Sequence, residues 1–269
     1  MIAFKAKRSQ GYSLIELMIA MVLGLVLMGG VIQVFLTSKQ SYAFNEDLGW
    51  MQENSRFALE YMTRDLRMAG YFGCNTEAPM VNTLNPIGGT GWQTNFVNGM
   101  GGFDGDDTVN LAFTSNEFPQ APRPTLAAGT VPRSDVVSLS RMDNSESFSV
   151  TAHGGNNITI GAHSFQNGDI LVVSDCRQSA IFQNSAGNAT QVQHAMGSGA
   201  TPGNCFNLLG SPGECGSGTF AFTYNNDASV MRAASFAYYV DTAANGLPAL
   251  YVRELGNEAT TTSSELVQG

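Results

Sequence analysis

The sequence predicts an α+β protein: a long N-terminal α-helix, membrane-spanning in its first half, packed on an antiparallel β-sheet with long loops. Three observations predict it. Leu17 to Leu36 is an apolar run in which Gln33 is the only polar side chain. At ~1.5 Å per residue such a helix reaches about 30 Å, the thickness of a bilayer's hydrocarbon core. Beyond it Leu48, Met51, Ser55, Leu59, Met62, Leu66 and Ala69 recur at three- and four-residue steps, a helical period. From Asn75 the pattern changes to short β-type segments between Gly-, Asn- and Pro-rich turns.

Composition fits a turn-rich body joined to a membrane helix: 269 residues, 43% hydrophobic, 13% charged, 30 glycines. Residues 1–11 carry Lys5, Lys7 and Arg8 and no acid, so without them the net charge moves from −9 to −12. After Lys39 the chain has no lysine. A body this acidic lacks the cations that phosphate contacts need, which argues against a nucleic-acid partner.

The N-terminus admits three readings. A secretory signal peptide would have a shorter apolar run and a small-residue cleavage site, whereas this run exits through Thr37-Ser38-Lys39. A plain anchor works, with the leader cations holding the N-terminus in the cytoplasm. It leaves Glu16, a carboxylate at the membrane boundary, without a partner. The third reading accounts for Glu16. Gly11-Tyr12-Ser13-Leu14-Ile15-Glu16-Leu17 resembles the class III signal of type IV pilins and type II secretion pseudopilins. The resemblance implies a prepilin peptidase that cuts after Gly11 and methylates Tyr12. Glu16 would then be the assembly glutamate, the fifth residue of the mature chain. Tyr12 stands where the family usually has phenylalanine, and it keeps an aromatic ring, so processing is expected to survive. Cleavage would leave an amine one helical turn from Glu16, within or between subunits, and an ion pair in a low-dielectric bundle sets register.

The helical pattern runs on to Ala69, and Gly70 reads as its C-terminal stop. A helix over 12–69 would be about 87 Å long. Its outward side is expected to carry Glu53, Arg56, Glu60 and Arg64. Gly24, Gly29 and Gly30 weaken the membrane half, permitting either bending or close helix packing. The stretch from Gln52 to Cys74 ends in Arg64-Asp65-Leu66-Arg67-Met68-Ala69-Gly70-Tyr71-Phe72-Gly73-Cys74. It is similar to the PilW group of minor pilins, whose helix ends in Arg-Asp-Leu-Arg-x-Ala-Gly followed by Gly-x-Cys. Taken alone, the stretch reads equally as an amphipathic helix with a solvated arginine face. The expected organisation is a leader peptide over 1–11, a transmembrane assembly helix over 12–36, an amphipathic periplasmic part over 37–72, and a β-rich pilin domain over 73–269.

Within the body, expected strands are Val109–Thr114, Asp135–Ser140, Ile158–Ile160, Ile170–Ser174, Phe220–Tyr224, Phe236–Val240 and Leu250–Arg253. The last two flank Asn245-Gly246, a hairpin turn. Residues 81–106 and 184–218 read as glycine-rich surface loops. The chain ends at Gly269 after a polar Glu258–Ser264 stretch. PilW-type chains continue into further strands, so the sheet is expected to lack an edge strand there.

Cys74, Cys176, Cys205 and Cys215 allow three disulfide pairings. Cys205 and Cys215 lie close together in a Gly/Pro loop, which favours their pairing and leaves Cys74 with Cys176. No Cys-x-x-Cys is present, and His153, His163 and His194 stand apart in the sequence, so they read as surface or turn residues and no metal is expected. Asp104-Gly105-Asp106-Asp107 crowds oxygen ligands but lacks the spaced ligands of a calcium loop. Phosphate loops, nucleophile elbows and zinc-protease motifs are missing, so no cofactor and no enzyme activity are expected. Tyr71, Phe72, Phe103, Phe220, Phe222, Phe236, Tyr238 and Tyr239 read as core.

The expectation is a minor pilin of a bacterial type IV pilus that primes assembly and sits at the tip, supporting adhesion and twitching motility. Its partners would be other minor pilins, the major pilin, prepilin peptidase, the inner-membrane assembly machinery and a large tip adhesin. It would be held in the inner membrane with its body in the periplasm, then carried to the cell surface. A minor pseudopilin of type II secretion is the alternative; a bitopic periplasmic enzyme is the reading from another class.

Overall fold

In the computed structural model, residues 11–74, 78–85, 92–94, 96, 99–103, 135–197, 202–215, 218–256 and 261–268 are described. The leader cations, the Val109–Thr114 strand and the Asp104–Asp107 turn lie outside them. The observed fold class is α+β: a long apolar N-terminal helix followed by an antiparallel-rich sheet. The chain divides into two compact units, Met1–Ser55 and Arg56–Gly269.

The helix α1 runs Leu14–Met68. Within the first unit every side chain from Leu17 to Leu36 is exposed, and by length and composition the helix can cross a membrane. It continues unbroken through Gly24, Gly29 and Gly30, none of which has a neighbour within 4 Å of where a Cβ would stand. Thr37 returns its hydroxyl to the Gln33 carbonyl at 2.9 Å, which lets a polar side chain sit on an apolar helix without an orphan donor.

In the second unit the end of α1 seats on the body by an unexpected face. Of the stripe read from the sequence, Leu59 is 60% and Leu66 40% exposed, and only Met62 and Ala69 join the sheet-side core. The seated row is Ala58, Tyr61, Met62, Asp65 and Met68, with Ala58 and Asp65 buried. The face is chosen by what Asp65 bonds rather than by where apolar side chains are densest.

The strands are β1 (Met80–Asn82), β2 (Met100–Phe103), β3 (Val136–Ser149), β4 (Ala152–Gly154), β5 (Asn157–Thr159), β6 (Ile170–Ser174) and β7 (Ser179–Gln183). They continue as β8 (Gln191–Gln193), β9 (Gly210–Glu214), β10 (Gly218–Phe220), β11 (Ser229–Thr242), β12 (Pro248–Leu255) and β13 (Thr261–Gln268). The spine is β11. Along one side it pairs with β3; on the other, β6 takes its first residues and β12 its last. From β6 the sheet extends through β7 to β1, and from β12 to β13, while β2 borders β3. Among the described residues every strand pairing is antiparallel except β1 with β7, which is parallel. The β11–β12 turn is the expected hairpin, with Gly246 at φ 81°, a region open to glycine.

Strand β6 is buried along its whole length because both faces are covered. Leu171 and Val173 pack with Phe182, Val230, Ile158 and Val192 on one face. Ile170 and Val172 pack with Phe96, Ile181 and Met142 on the other, beside Tyr71 and Phe72. A small sheet of β4, β5 and β8 supplies Ile158 and Val192 to the first cluster.

Several expectations are corrected. Residues 81–106 and 184–218 are not simply surface loops: Val81, Trp92, Phe96, Val192, His194 and Leu209 are buried, and five strands fall wholly or partly there. Phe220–Tyr224 is not a strand; β10 ends at Phe220, which is 62% exposed, and Tyr224 is held by side-chain bonds instead of a ladder. The polar stretch near the C-terminus contributes β13, an eight-residue strand bordering β12. Polar sequence makes a strand here because one side of it faces solvent.

Candidate functional site

Two places are candidates for the functional site: the start of α1 and the seat of its end. Helix α1 begins at Leu14, so Gly11, Tyr12 and Ser13 lie outside it. Ser13 takes the N-cap position, its carbonyl accepting from Leu17 N–H at 3.2 Å. Glu16, three residues on, accepts the Ser13 backbone N–H at 3.0 Å. Ser13-Leu14-Ile15-Glu16 is thus the carboxylate half of a capping box, and its negative charge sits at the positive end of the helix. Two consequences follow. The Gly11–Tyr12 bond is non-helical and exposed, the form in which a protease can engage a backbone, and Tyr12 is 90% exposed. Hydrolysis there would free an amine one peptide unit from the N–H that Glu16 already holds, so the carboxylate needs no large movement to meet the new cation.

The seat is built from the Arg-Asp-Leu-Arg-x-Ala-Gly phrase. Asp65, 1% exposed, accepts the Tyr238 hydroxyl of β11 at 2.5 Å and Arg141 Nη2 of β3 at 3.4 Å. Arg141 also donates to the Met142 carbonyl at 3.2 Å, lies 3.8 Å from Asp143, and stacks over the Phe236 ring at 5.0 Å. Burial first, and then the hydrogen bond to Asp65, push the Tyr238 hydroxyl well above its ordinary pKa, so it stays a proton donor. One helix side chain therefore fastens to two strands at once.

The chain leaving the helix adds backbone contacts. Gly70, at φ 75°, donates its N–H to the Ser140 carbonyl at 2.9 Å, and the Tyr71 carbonyl accepts Met142 N–H at 2.7 Å. Gly70 Cα also lies against Gly99, where a Cβ would collide with the Gly70 backbone. Cys74 is bonded to Cys176 in the β6–β7 turn, 102 residues away in sequence, and Cys205 to Cys215. The glycines and the cysteine of the motif are where a close approach or a covalent bond requires them.

Asp65, Tyr238 and Arg141 were not singled out as a group by the sequence. The signal was available only in part: a helical acid beside an apolar row, with its partners 76 and 173 residues away. A second unexpected cluster joins His153 and His194, whose Nε2 atoms are 3.1 Å apart, with His194 1% exposed. These two histidines are not isolated, and His194 is buried while His153 is half-buried, contrary to the sequence reading. Among the described residues no three His, Cys, Asp or Glu side chains gather as a metal site.

A family model described as a prokaryotic N-terminal methylation motif matches residues 6–32. The match supports a type IV pilin-like or pseudopilin-type protein. No curated protein and no solved structure matches the chain. The matched residues take in the stretch just before Gly11, the Gly11–Tyr12 bond, Glu16 and most of the apolar run, and together with the exposed apolar helix the motif points to membrane anchoring. A motif of this kind also points to a structural rather than an enzymatic protein.

Proposed function

We propose that this chain is a minor pilin of a type IV pilus, of the PilW type, which helps prime assembly and sits at the pilus tip. The observation that carries the reading is the pairing of a prepilin-type start, Gly11-Tyr12 ahead of Glu16, with an apolar helix that covers none of its first-half side chains within the chain. The role is mechanical. Prepilin peptidase removes residues 1–11 and methylates Tyr12 on the cytoplasmic side, and the inner membrane stores the mature subunit. Glu16 and the new N-terminus set helix register against other minor pilins and the major pilin as the assembly machinery extracts the subunit. The periplasmic body, fastened through Asp65 and Cys74, makes lateral contacts and presents a tip surface to a large adhesin. Adhesion and twitching motility follow from that position.

The test is processing followed by assembly. In cells with active prepilin peptidase, Gly11→Ala should leave the chain at precursor size and absent from sheared pili, while the wild-type chain shortens and co-purifies with them. Equal sizes for the two chains would sink the prepilin reading. A shortened chain that co-purifies with a secretion complex instead would favour the pseudopilin.

A further inference from the structure

His153 on β4 and His194, one residue beyond β8, meet edge to face, Nε2 to Nε2 at 3.1 Å with ring planes at 72°. His194 lies against the Phe182 ring of β7, and His153 stacks on Tyr224. The backbone fixes where the protons are. Tyr224 N–H donates to His153 Nδ1 at 3.0 Å, so that nitrogen is bare and neutral His153 carries its proton on Nε2. That proton goes to His194 Nε2, which must be bare in turn, leaving the His194 proton on Nδ1. Among the described residues, His194 Nδ1 makes no well-aligned hydrogen bond, and the Asn207 backbone beside the ring offsets only part of the lowering by burial.

The two bare nitrogens each already accept a hydrogen bond, so an added proton has no place that keeps the pair intact. On His153 Nδ1 it would face the Tyr224 N–H; on His194 Nε2 it would face the His153 N–H. The surrounding charged and titratable groups supply no counter-ion. The Tyr224 hydroxyl accepts from Gln178 Nε2 at 3.2 Å, and Asp175 is paired with Arg177, which also feels Asp227. His163 is bonded to the Gln191 carbonyl. Among the described residues no carboxylate hydrogen-bonds either imidazole.

We propose that the His153–His194 pair is an acid-released latch: when neutral it holds the β4–β5–β8 sheet and the Tyr224 segment on the core, and uptake of a proton opens that corner while the main sheet stays folded. Two backbone ties would part with it, His194 N–H to the Asn156 carbonyl and Ile160 N–H to the Thr190 carbonyl, both 3.0 Å. The direction follows from linkage. Burial, and secondarily His153, lowers His194 from 6.5 to about 4, and burial also lowers His153. The closed form therefore binds fewer protons than the open one. Closure is complete above pH 6.5 and weakens as pH falls toward 4, by about tenfold per pH unit for one proton.

The test is a pH titration of the full-length chain in detergent micelles, with its histidines isotopically labelled for NMR and amide exchange read residue by residue. Between pH 6.5 and 4.5 the opening constant at Ile158 and Val192, corrected for intrinsic exchange, should rise about 40-fold. The amides of Val172 and Tyr238 should keep their protection, and the Tyr224 amide should shift together with the two rings. His194→Gln, which can still accept the His153 proton through its side-chain oxygen but cannot titrate, should flatten that slope; His163→Gln should not. The latch is overturned if both rings titrate near 6.5 with the Tyr224 amide unmoved, if protection is lost evenly across the sheet, or if His194→Gln keeps the full slope. Should His194→Gln fail to fold, the wild-type titration alone decides.

Discussion

Between Leu17 and Leu36, α1 exposes every side chain it carries, nearly all apolar; between Ala58 and Met68 the same helix leaves Leu59 and Leu66 in solvent and buries an aspartate. The contrast separates two jobs. An apolar side chain uncovered within its own chain is available to lipid or to another helix. A buried carboxylate with two partners is committed to this fold, because stranding either partner in the interior would cost far more than trimming an apolar side chain at the surface. The first stretch is built for association, the second for attachment.

Perturbations of decreasing size should break or sharpen that contrast. Replacing both Cys74 and Cys176 by serine reopens a loop of 102 residues and should lower stability by about 4–5 kcal/mol in the chain-entropy account, read by denaturant unfolding of the full-length protein in detergent. Asp65→Ala strands Arg141 and the Tyr238 hydroxyl in the interior and should cost about 3–4 kcal/mol by the same measurement. A loss below about 1 kcal/mol would mean the seat is apolar after all. Glu16 offers a sharper case. Glu16→Gln keeps an oxygen for the Ser13 N–H, whereas Glu16→Ala removes the cap, which costs about 1 kcal/mol at the helix start. Both variants should be cleaved yet fail to co-purify with partner pilins; normal assembly of the glutamine variant would refute a role for the charge. Last, Leu59→Ala, a change the hydrophobic pattern would rank as serious, should alter stability by only about 0.5 kcal/mol, because the side chain is already 60% exposed.

What could be read from the sequence follows from how far each signal reaches. The helix, its apolar half and its start depend on neighbours within four residues, and Ser13 with Glu16 marks the start at that range. Strand β6 was legible because Ile170-Leu171-Val172-Val173 is apolar on both faces. The helix face was not, since periodicity assigns a charged residue such as Asp65 to solvent, and its partners Arg141 and Tyr238, 76 and 173 residues on, reverse that. Most of the far half of β3 and Thr262–Glu265 of β13 are polar and face solvent, where hydrophobic patterning has little to register. The histidines show the same limit: 41 residues separate the pair, and no local rule relates them.

The Cys74–Cys176 bond changes the route by which tension travels. Without it, a pull on the helix would enter the body through non-covalent contacts alone, from Asp65, Gly70 and Tyr71 to β3 and β11. With it, force leaving Met68 crosses six residues to Cys74 and enters the turn between β6 and β7, the most deeply covered strands of the body. The bond adds a covalent path beside those contacts, so the load does not rest on Ser140, Arg141 and Met142 of β3 alone. A subunit drawn repeatedly by its helix would thus be held covalently at its centre.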